Sequence, residues 1–264
     1  CGVTTFLELE LQNCRKLAYN RENITCPASE CTVVRSKKTE DDHIKVAKDL
    51  LLASILPNVE FDGWSLAAFE QAVIDSGVDI SLAHQVAPRG AIDLAVAFHK
   101  KGDELMMLGY KQENFTELKY SEKVMQLIKL RIQASNTHKG AVRKGMSLFA
   151  LPQNINEGGQ LIWKTSDKIW NTLGDKSTDS NWYTKRTTLS AVYSATVLFW
   201  LCDDSDEAID TWNFLNRRIQ NVMEIEKAKA KIKKTSFGQS VFSFFDLLQK
   251  PSNEHKSGFP GYKG

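Results

Sequence analysis

Apolar residues recur at helical spacing along most of the chain. From His43 onward, Ile44, Ala47, Leu50, Leu51 and Ile55 follow i, i+3, i+4 steps, the mark of an amphipathic helix. Pro57 and the Phe61-Asp62-Gly63 turn are expected to end it. Ser65 stands where an N-cap belongs, ahead of a second helix that runs to Gly77. A short third helix covers residues 78–86, is broken by Pro88-Arg89-Gly90, and gives way to a fourth over 91–101 that is expected to stop at Gly102. Two short helices joined by a Gly-Val-Asp turn and preceded by a longer one spell a helix-turn-helix. Beyond it the periodicity predicts an antiparallel bundle, with helices over residues 120–134, 139–151, 154–173, 181–201 and 206–228. Breaks fall at Asn136, at Pro152 and across 174–180.

Composition narrows the class. The 264 residues are 42% hydrophobic and 25% charged, with only 6 Pro and 15 Gly. Few Thr-Val-Ile alternations occur, so an all-α protein is expected rather than a sandwich or barrel. The helix order is similar to the amino-terminal domain of TetR-type regulators. A DNA reader, however, presents Lys, Arg, Gln or Asn to base edges and cations to phosphates. The helix in the recognition position, residues 81–86, has neither Lys nor Arg, and the helix before it carries Glu70 and Asp75. With a net charge of only +2, no nucleic-acid partner is expected. His84 and Gln85 keep a ligand-sensing transcription regulator open as the alternative.

Catalytic chemistry finds little support. No phosphate-binding, nucleophile-elbow or zinc-protease motif is present, and the histidines are scattered. His99 and Asp103, four apart, read as a surface ion pair or a helix end. Asp203, Asp204, Asp206 and Glu207 read as a helix N-terminus, where acids favour the macrodipole. The chain is therefore expected not to be an enzyme and to need no cofactor or metal. Of the 5 cysteines, Cys1, Cys14, Cys26 and Cys31 lie near the start and Cys202 far away, without a C-x-x-C pair. Cys202 alone in the body suits a reducing compartment. The longest apolar stretch, Val192 to Cys202, is interrupted by Ser194 and Thr196 and reads as a buried helix. The chain starts at Cys1 with its first Met at Met106, as a fragment, a processed product or an upstream translation start would. Residues 1–40 lack periodicity and are expected to be poorly ordered or non-native. The Asn23-Ile24-Thr25 triplet reads as an incidental glycosylation match.

Two strings are unusual. One is Asn181-Trp182-Tyr183-Thr184-Lys185-Arg186; the other is Asp210-Thr211-Trp212-Asn213-Phe214-Leu215-Asn216-Arg217-Arg218. Together with Leu151-Pro152-Gln153-Asn154, Pro88-Arg89-Gly90 and Phe98-His99, this combination resembles the lipid-binding accessory family of ubiquinone (coenzyme Q) biosynthesis that acts beside demethoxyubiquinone hydroxylase. The resemblance covers residues 45 to 228. It implies a TetR-like fold and a homodimer. It also implies a carboxy-terminal bundle that encloses a hydrophobic pocket for an isoprenoid quinone or its precursor, which is taken from the membrane and presented to the hydroxylase. On this resemblance Leu161, Ile162, Leu189, Val192, Tyr193, Thr196, Phe199 and Trp200 become candidates for the pocket wall, although the apolar pattern alone fits a packed core equally well. The same resemblance assigns Trp182 and Tyr183, with Lys185 and Arg186, to the partner surface. Packing of both aromatics on a neighbouring helix remains the plainer account of them.

The tail adds a membrane element. Lys227, Lys229, Lys231, Lys233 and Lys234 lead into a stretch in which Phe237, Val241, Phe244, Phe245 and Leu248 share one helical face. A basic lead and an apolar face describe a helix lying in a membrane interface, with a helix docked on the domain or a dimer contact as the competing account. The expected organisation is thus residues 1–40, a helix-turn-helix subdomain over 41–110, a lipid-binding bundle over 111–230, and a basic linker with a membrane helix over 231–264. The expected location is the cytoplasmic face of a bacterial inner membrane or the matrix side of the mitochondrial inner membrane.

Overall fold

The structure, a computed structural model, describes the backbone of residues 31–113, 115–177 and 180–233, and side chains within 42–113, 115–177 and 181–224. Among the described residues all regular structure is helical. The helices are α1 (Cys31–Asp62), α2 (Leu66–Ser76), α3 (Ile80–Val86), α4 (Ala91–Gln112), α5 (Tyr120–Gln133), α6 (Lys139–Phe149), α7 (Ile155–Thr172), α8 (Ser180–Leu201) and α9 (Ile209–Lys233). Short 3-10 turns lie at Asn136–His138 and Asp206–Ala208. The chain parts into two units between Val46 and Ala47. Phe237, Val241, Phe244, Phe245 and Leu248 of the expected membrane helix lie outside the described residues. No described helix is long and apolar enough to cross a membrane.

The caps read from the sequence are in place. Ser65 Oγ accepts the Ala68 amide at 3.2 Å, and Gly77 takes the left-handed conformation (φ 65°) that closes α2. Asp79, expected inside the third helix, instead caps it by accepting from the Ser81 and Leu82 amides, so α3 starts at Ile80 rather than at residue 78. Several further boundaries differ from expectation. First, α1 begins at Cys31, ahead of the apolar periodicity. Second, α1 runs through Pro57. The proline sits on the exposed side, where water can serve the carbonyl it orphans, while fully buried Ile55 and Val59 anchor the helix on either side of it. Third, the chain enters α9 through Glu207 and Ala208 at φ 50° and 56° rather than in a continuous helix from Asp206. Asp203, from the expected acidic cluster, caps this entry: its carboxylate accepts the Thr211 amide at 2.8 Å and the Ser205 amide at 2.9 Å.

Gly102 does not end α4, which continues to Gln112. Its role is close approach. A Cβ at this position would lie 2.5 Å from Nη1 of Arg131 on α5, so glycine lets the guanidinium lie against the α4 backbone. Alanine at an exposed helix position usually stabilises relative to glycine. Here Arg131 is held by three hydrogen bonds and cannot yield. Gly102→Ala is therefore expected to destabilise by about 1–3 kcal/mol, the usual effect of overpacking, as read by chemical denaturation.

The larger core draws Met106 from α4, Leu127, Ile128 and Ile132 from α5, and Ile169 from α7, with Leu189, Val192, Tyr193, Val197 and Trp200 from α8 and Leu215 and Ile219 from α9. The α8 residues form one stripe at i, i+3, i+4 spacing. Leu198 stands on the opposite side, 54% exposed, and Phe199 flanks the stripe, 36% exposed, so the apolar stretch of α8 is not buried all round. Helix α6 is tied across the end of α8. Lys139 Nζ donates to the Asp203 carbonyl at 2.7 Å, and Arg143 donates to the Leu201 carbonyl, satisfying groups that a helix C-terminus leaves open.

Candidate functional site

Helices α4 to α8 leave a cavity of about 340 Å³ between them, roofed by Trp64. That volume falls in the range of small-molecule pockets, ~300–1,000 Å³. The wall is almost wholly apolar. Ala150, Ile155 and Gly159 line the cavity and are exposed, which places its mouth where α6 gives way to α7. Arg131, Tyr193 and Trp200 line it and are buried, which places them at the inner end. The mouth depends on two successive glycines. A Cβ on Gly158 would lie 2.7 Å from Cβ of Phe149, whereas a Cβ on Gly159 would meet nothing within 4 Å. Gly158 thus lets the two helix ends close up, and Gly159 leaves the opening clear.

Behind the inner end lies a buried polar network that the sequence did not disclose. Arg131 donates through Nε to Asp103 Oδ1 at 2.8 Å, through Nη1 to Ser135 Oγ at 3.1 Å, and through Nη2 to the His99 carbonyl at 3.0 Å. Thr165 donates to the same Asp103 oxygen at 2.8 Å, and Lys168 Nζ donates to Oδ2 at 3.2 Å. His99 Nε2 lies 2.9 Å from Thr165 Oγ1. Asp103 is only 1% exposed, so the surface ion pair or helix end expected for His99 and Asp103 is an interior cluster instead. Burial works against the Asp103 carboxylate, but the facing His99, Arg131 and Lys168 hold its pKa below the ordinary value. Burial, reinforced by the Arg131 charge, pushes His99 down to about 3, so the ring is neutral.

That displacement fixes a pH dependence. A histidine with a native pKa near 3 and an unfolded value near 6.5 binds its proton more readily in the unfolded chain. Stability is then complete above pH 6.5 and falls as the pH drops from 6.5 toward 3. His99→Gln is expected to flatten the part of that fall above about pH 5.5, where ordinary carboxylates are still almost wholly ionised. Urea titrations at fixed pH steps would read the difference in slope.

Of the residues expected in a pocket wall, Leu161, Ile162, Tyr193 and Trp200 line the cavity. Leu189, Val192 and Thr196 do not. The first two are packed in the core, and the Thr196 hydroxyl is turned back to the Val192 carbonyl at 2.7 Å. Phe199 faces away and stacks on Phe214 of α9 with ring centroids 4.6 Å apart. Trp64, Phe98, Phe149 and Val197 add further aromatic and aliphatic surface to the wall. Trp64 lies between two helices and Phe98 and Phe149 on helices of ordinary composition, while Val197 shares α8 with the candidates and differs from them in nothing that the pattern shows. Only the fixed spacing of Gly158-Gly159 at a helix start hinted at an opening.

The second expected patch is divided by the structure. Trp182 and Tyr183 are half-buried at the start of α8, in edge contact at 4.7 Å, and Trp182 leans on Trp163 of α7 at 5.8 Å. Arg186 is not presented outward as expected: it is 1% exposed. Its guanidinium lies 4.0 Å from the Trp182 ring centroid and donates to Asp167 at 2.6 Å and to Asp175 at 3.2 Å. Lys185 donates to Asp175 at 2.7 Å and to Ser177 at 2.8 Å. Burial would raise Asp175, yet these donors hold it down at about 2. The basic pair clasps the α7–α8 connection and sets the angle at which Trp182 and Tyr183 emerge.

Comparison with known proteins gives the family. The COQ9 family model matches residues 155–226, the stretch from the cavity mouth through α8 into α9. A mitochondrial protein from Dictyostelium discoideum, described as a probable ubiquinone biosynthesis protein, is 30% identical over 206 residues, 76% of this chain and 67% of the relative. The chain belongs to the COQ9 family. The mitochondrial ubiquinone biosynthesis protein COQ9 of Schizosaccharomyces pombe is likewise 30% identical, over 70% of this chain and 74% of that protein. The human COQ9 protein is 25% identical over 70% of this chain, which spans 60% of the human protein's length. Among solved structures, a TetR transcriptional regulator from Nitrosomonas europaea superposes with a TM-score of 0.56 over 66% of this chain and 95% of the regulator, at 17% identity. The TetR-like all-α fold expected from the helix order is therefore present, and at that identity the likeness concerns the fold alone.

Proposed function

We propose that this COQ9-family chain is a non-catalytic lipid-binding protein of ubiquinone biosynthesis, which takes a polyprenyl quinone precursor from a membrane and presents it to demethoxyubiquinone hydroxylase. The observation that carries the reading is the cavity: about 340 Å³, apolar, and open between exposed Ile155 and Gly159. An enzyme would need polar groups converging on a reacting atom, whereas a carrier needs an apolar sleeve with one way in. The relatives are mitochondrial proteins, so the matrix face of the inner membrane is the proposed location. The hydroxylase is assigned to Trp182 and Tyr183, with Arg186 and Lys185 setting their orientation rather than touching the partner. A homodimer and a membrane-binding segment at Phe237, Val241, Phe244, Phe245 and Leu248 complete the proposal. The regulator alternative is disfavoured by Arg89, the cation that follows α3, because it is engaged by Asp93 at 2.6 Å and Glu157 at 2.9 Å.

Native mass spectrometry with lipid extraction, on the full chain and on one lacking residues 236–264, tests the reading. A copurified isoprenoid quinone or precursor in the full chain, reduced in the shortened one, is the expected result. A lipid-free protein that does not bind liposomes overturns it.

A further inference from the structure

Large apolar side chains are exposed at two edges of the molecule, and the charges around them differ. Phe61, Leu66 and Ile74 stand out from the helix-turn-helix beside Asp62, Glu70 and Asp75, with no Lys or Arg between residues 49 and 88. The other edge is the α6–α7 corner at the cavity mouth. Leu151 is 43% exposed and Ile155 56%, with Pro152 exposed between them. From residue 145 to 163 the only charged side chain is Glu157. Arg89 covers it, donating through Nη1 and Nη2 to its two oxygens at 2.9 Å each. Arg89 also donates to Asp93, and Lys100 acts on the Glu157 carboxylate from nearby. Two cations thus offset two anions, and the rim carries no net charge. Beyond it Lys144 and Lys164 are exposed. The backbone of the corner is largely satisfied from within. The Leu151 amide donates to the Leu148 carbonyl at 3.4 Å and the Asn154 amide to the Leu151 carbonyl at 2.9 Å, while Pro152 has no amide proton. Asn154 Nδ2 ties the corner to the Leu148 carbonyl at 3.1 Å. Such a segment loses few hydrogen bonds to water when it enters an apolar medium.

We propose that this corner is a membrane contact of its own, separate from the tail: Leu151, Pro152 and Ile155 enter the interface of an anionic bilayer and set the cavity mouth against the lipid. The inference deepens the lipid-binding reading by naming the surface through which lipid is reached. Charge selects the occupant. Anionic lipid is repelled at the acidic edge, whereas the corner offers a neutral apolar centre flanked by lysines. Area points the same way. Three side chains fall far short of the roughly 800 Å² per side that a stable protein interface covers, but apolar insertion beside cations is enough for a reversible lipid contact.

The test follows the full chain by hydrogen–deuterium exchange and by cosedimentation with phosphatidylcholine vesicles, with and without phosphatidylglycerol. Amides of residues 150–156 are expected to exchange more slowly on the mixed vesicles, and those of residues 66–76 at an unchanged rate. Leu151→Gln combined with Ile155→Gln should lower affinity for the mixed vesicles roughly tenfold, because less apolar surface leaves water. Ile74→Gln, at a position 72% exposed, should leave it unchanged. Glu157→Gln gives the rim one net positive charge and should raise affinity by about fivefold, a sign that damage to the fold cannot produce. Unchanged exchange at 150–156, or full affinity in the double glutamine variant, overturns the corner contact and leaves membrane binding to the tail. Protection of the same amides on concentrating the lipid-free chain overturns it in favour of a second copy. Binding to neither vesicle overturns both the contact and the lipid-binding reading.

Discussion

Asp103→Ala is expected to lower the unfolding free energy by about 3–5 kcal/mol, the range for removing one partner of a buried ion pair. Alanine strands Arg131, a residue only 4% exposed, without its counter-ion. It also removes the acceptor used by the Thr165 hydroxyl and by Lys168. For a chain of this length the thermal midpoint should fall on the order of 10 °C. Two controls separate the buried pair from simple loss of bulk. Lys168→Ala should cost less than about 1 kcal/mol, because Lys168 is 40% exposed and solvent screens its pairing with Asp103. Asp103→Leu combined with Arg131→Met should recover much of what Asp103→Ala loses, since an apolar pair of similar volume carries no stranded charge. A midpoint for Asp103→Ala within 2 °C of wild type would mean that Arg131 finds another counter-ion.

The same cluster marks the limit of what the sequence made legible. Local chemistry was readable. Ser65 and Gly77 act within a few residues of themselves, and each caps the helix assigned to it. The helices of the bundle likewise followed from period alone. Gly102 misled because its reason lies in Arg131, distant in sequence, and a glycine needed for close approach looks the same as one that stops a helix. His99 and Asp103 misled for the opposite reason: i, i+4 spacing gives their common face but not what that face meets. The cavity was harder still. Tyr193 and Trp200 border empty space while Leu189 and Val192 border atoms, and all four occupy one stripe of one helix. Residue type records that a side chain avoids water, not whether its neighbour is protein or ligand. At the family string the identities were plain, but the burial of Arg186 was not, because three acceptors from the α7–α8 region draw it inward.

Gly159→Trp is expected to abolish lipid copurification without loss of stability. A Cβ at Gly159 meets nothing within 4 Å, so the fold accepts a side chain there, and replacing a helical glycine by a residue with a Cβ should raise stability by roughly 0.5 kcal/mol. The indole, however, stands at the rim of the cavity, beside Ala150 and Ile155, where it can cover the mouth. Binding of an apolar probe should drop more than tenfold while the thermal midpoint holds or rises, and these opposite signs distinguish a blocked entrance from a damaged fold. The neighbouring glycine gives the reverse outcome. Gly158→Ala places a methyl group 2.7 Å from Cβ of Phe149, which must force α6 and α7 apart, so its midpoint should fall by several degrees. If Gly159→Trp instead retains full lipid binding, the ligand enters by another route and the opening at Ile155 has no part in loading.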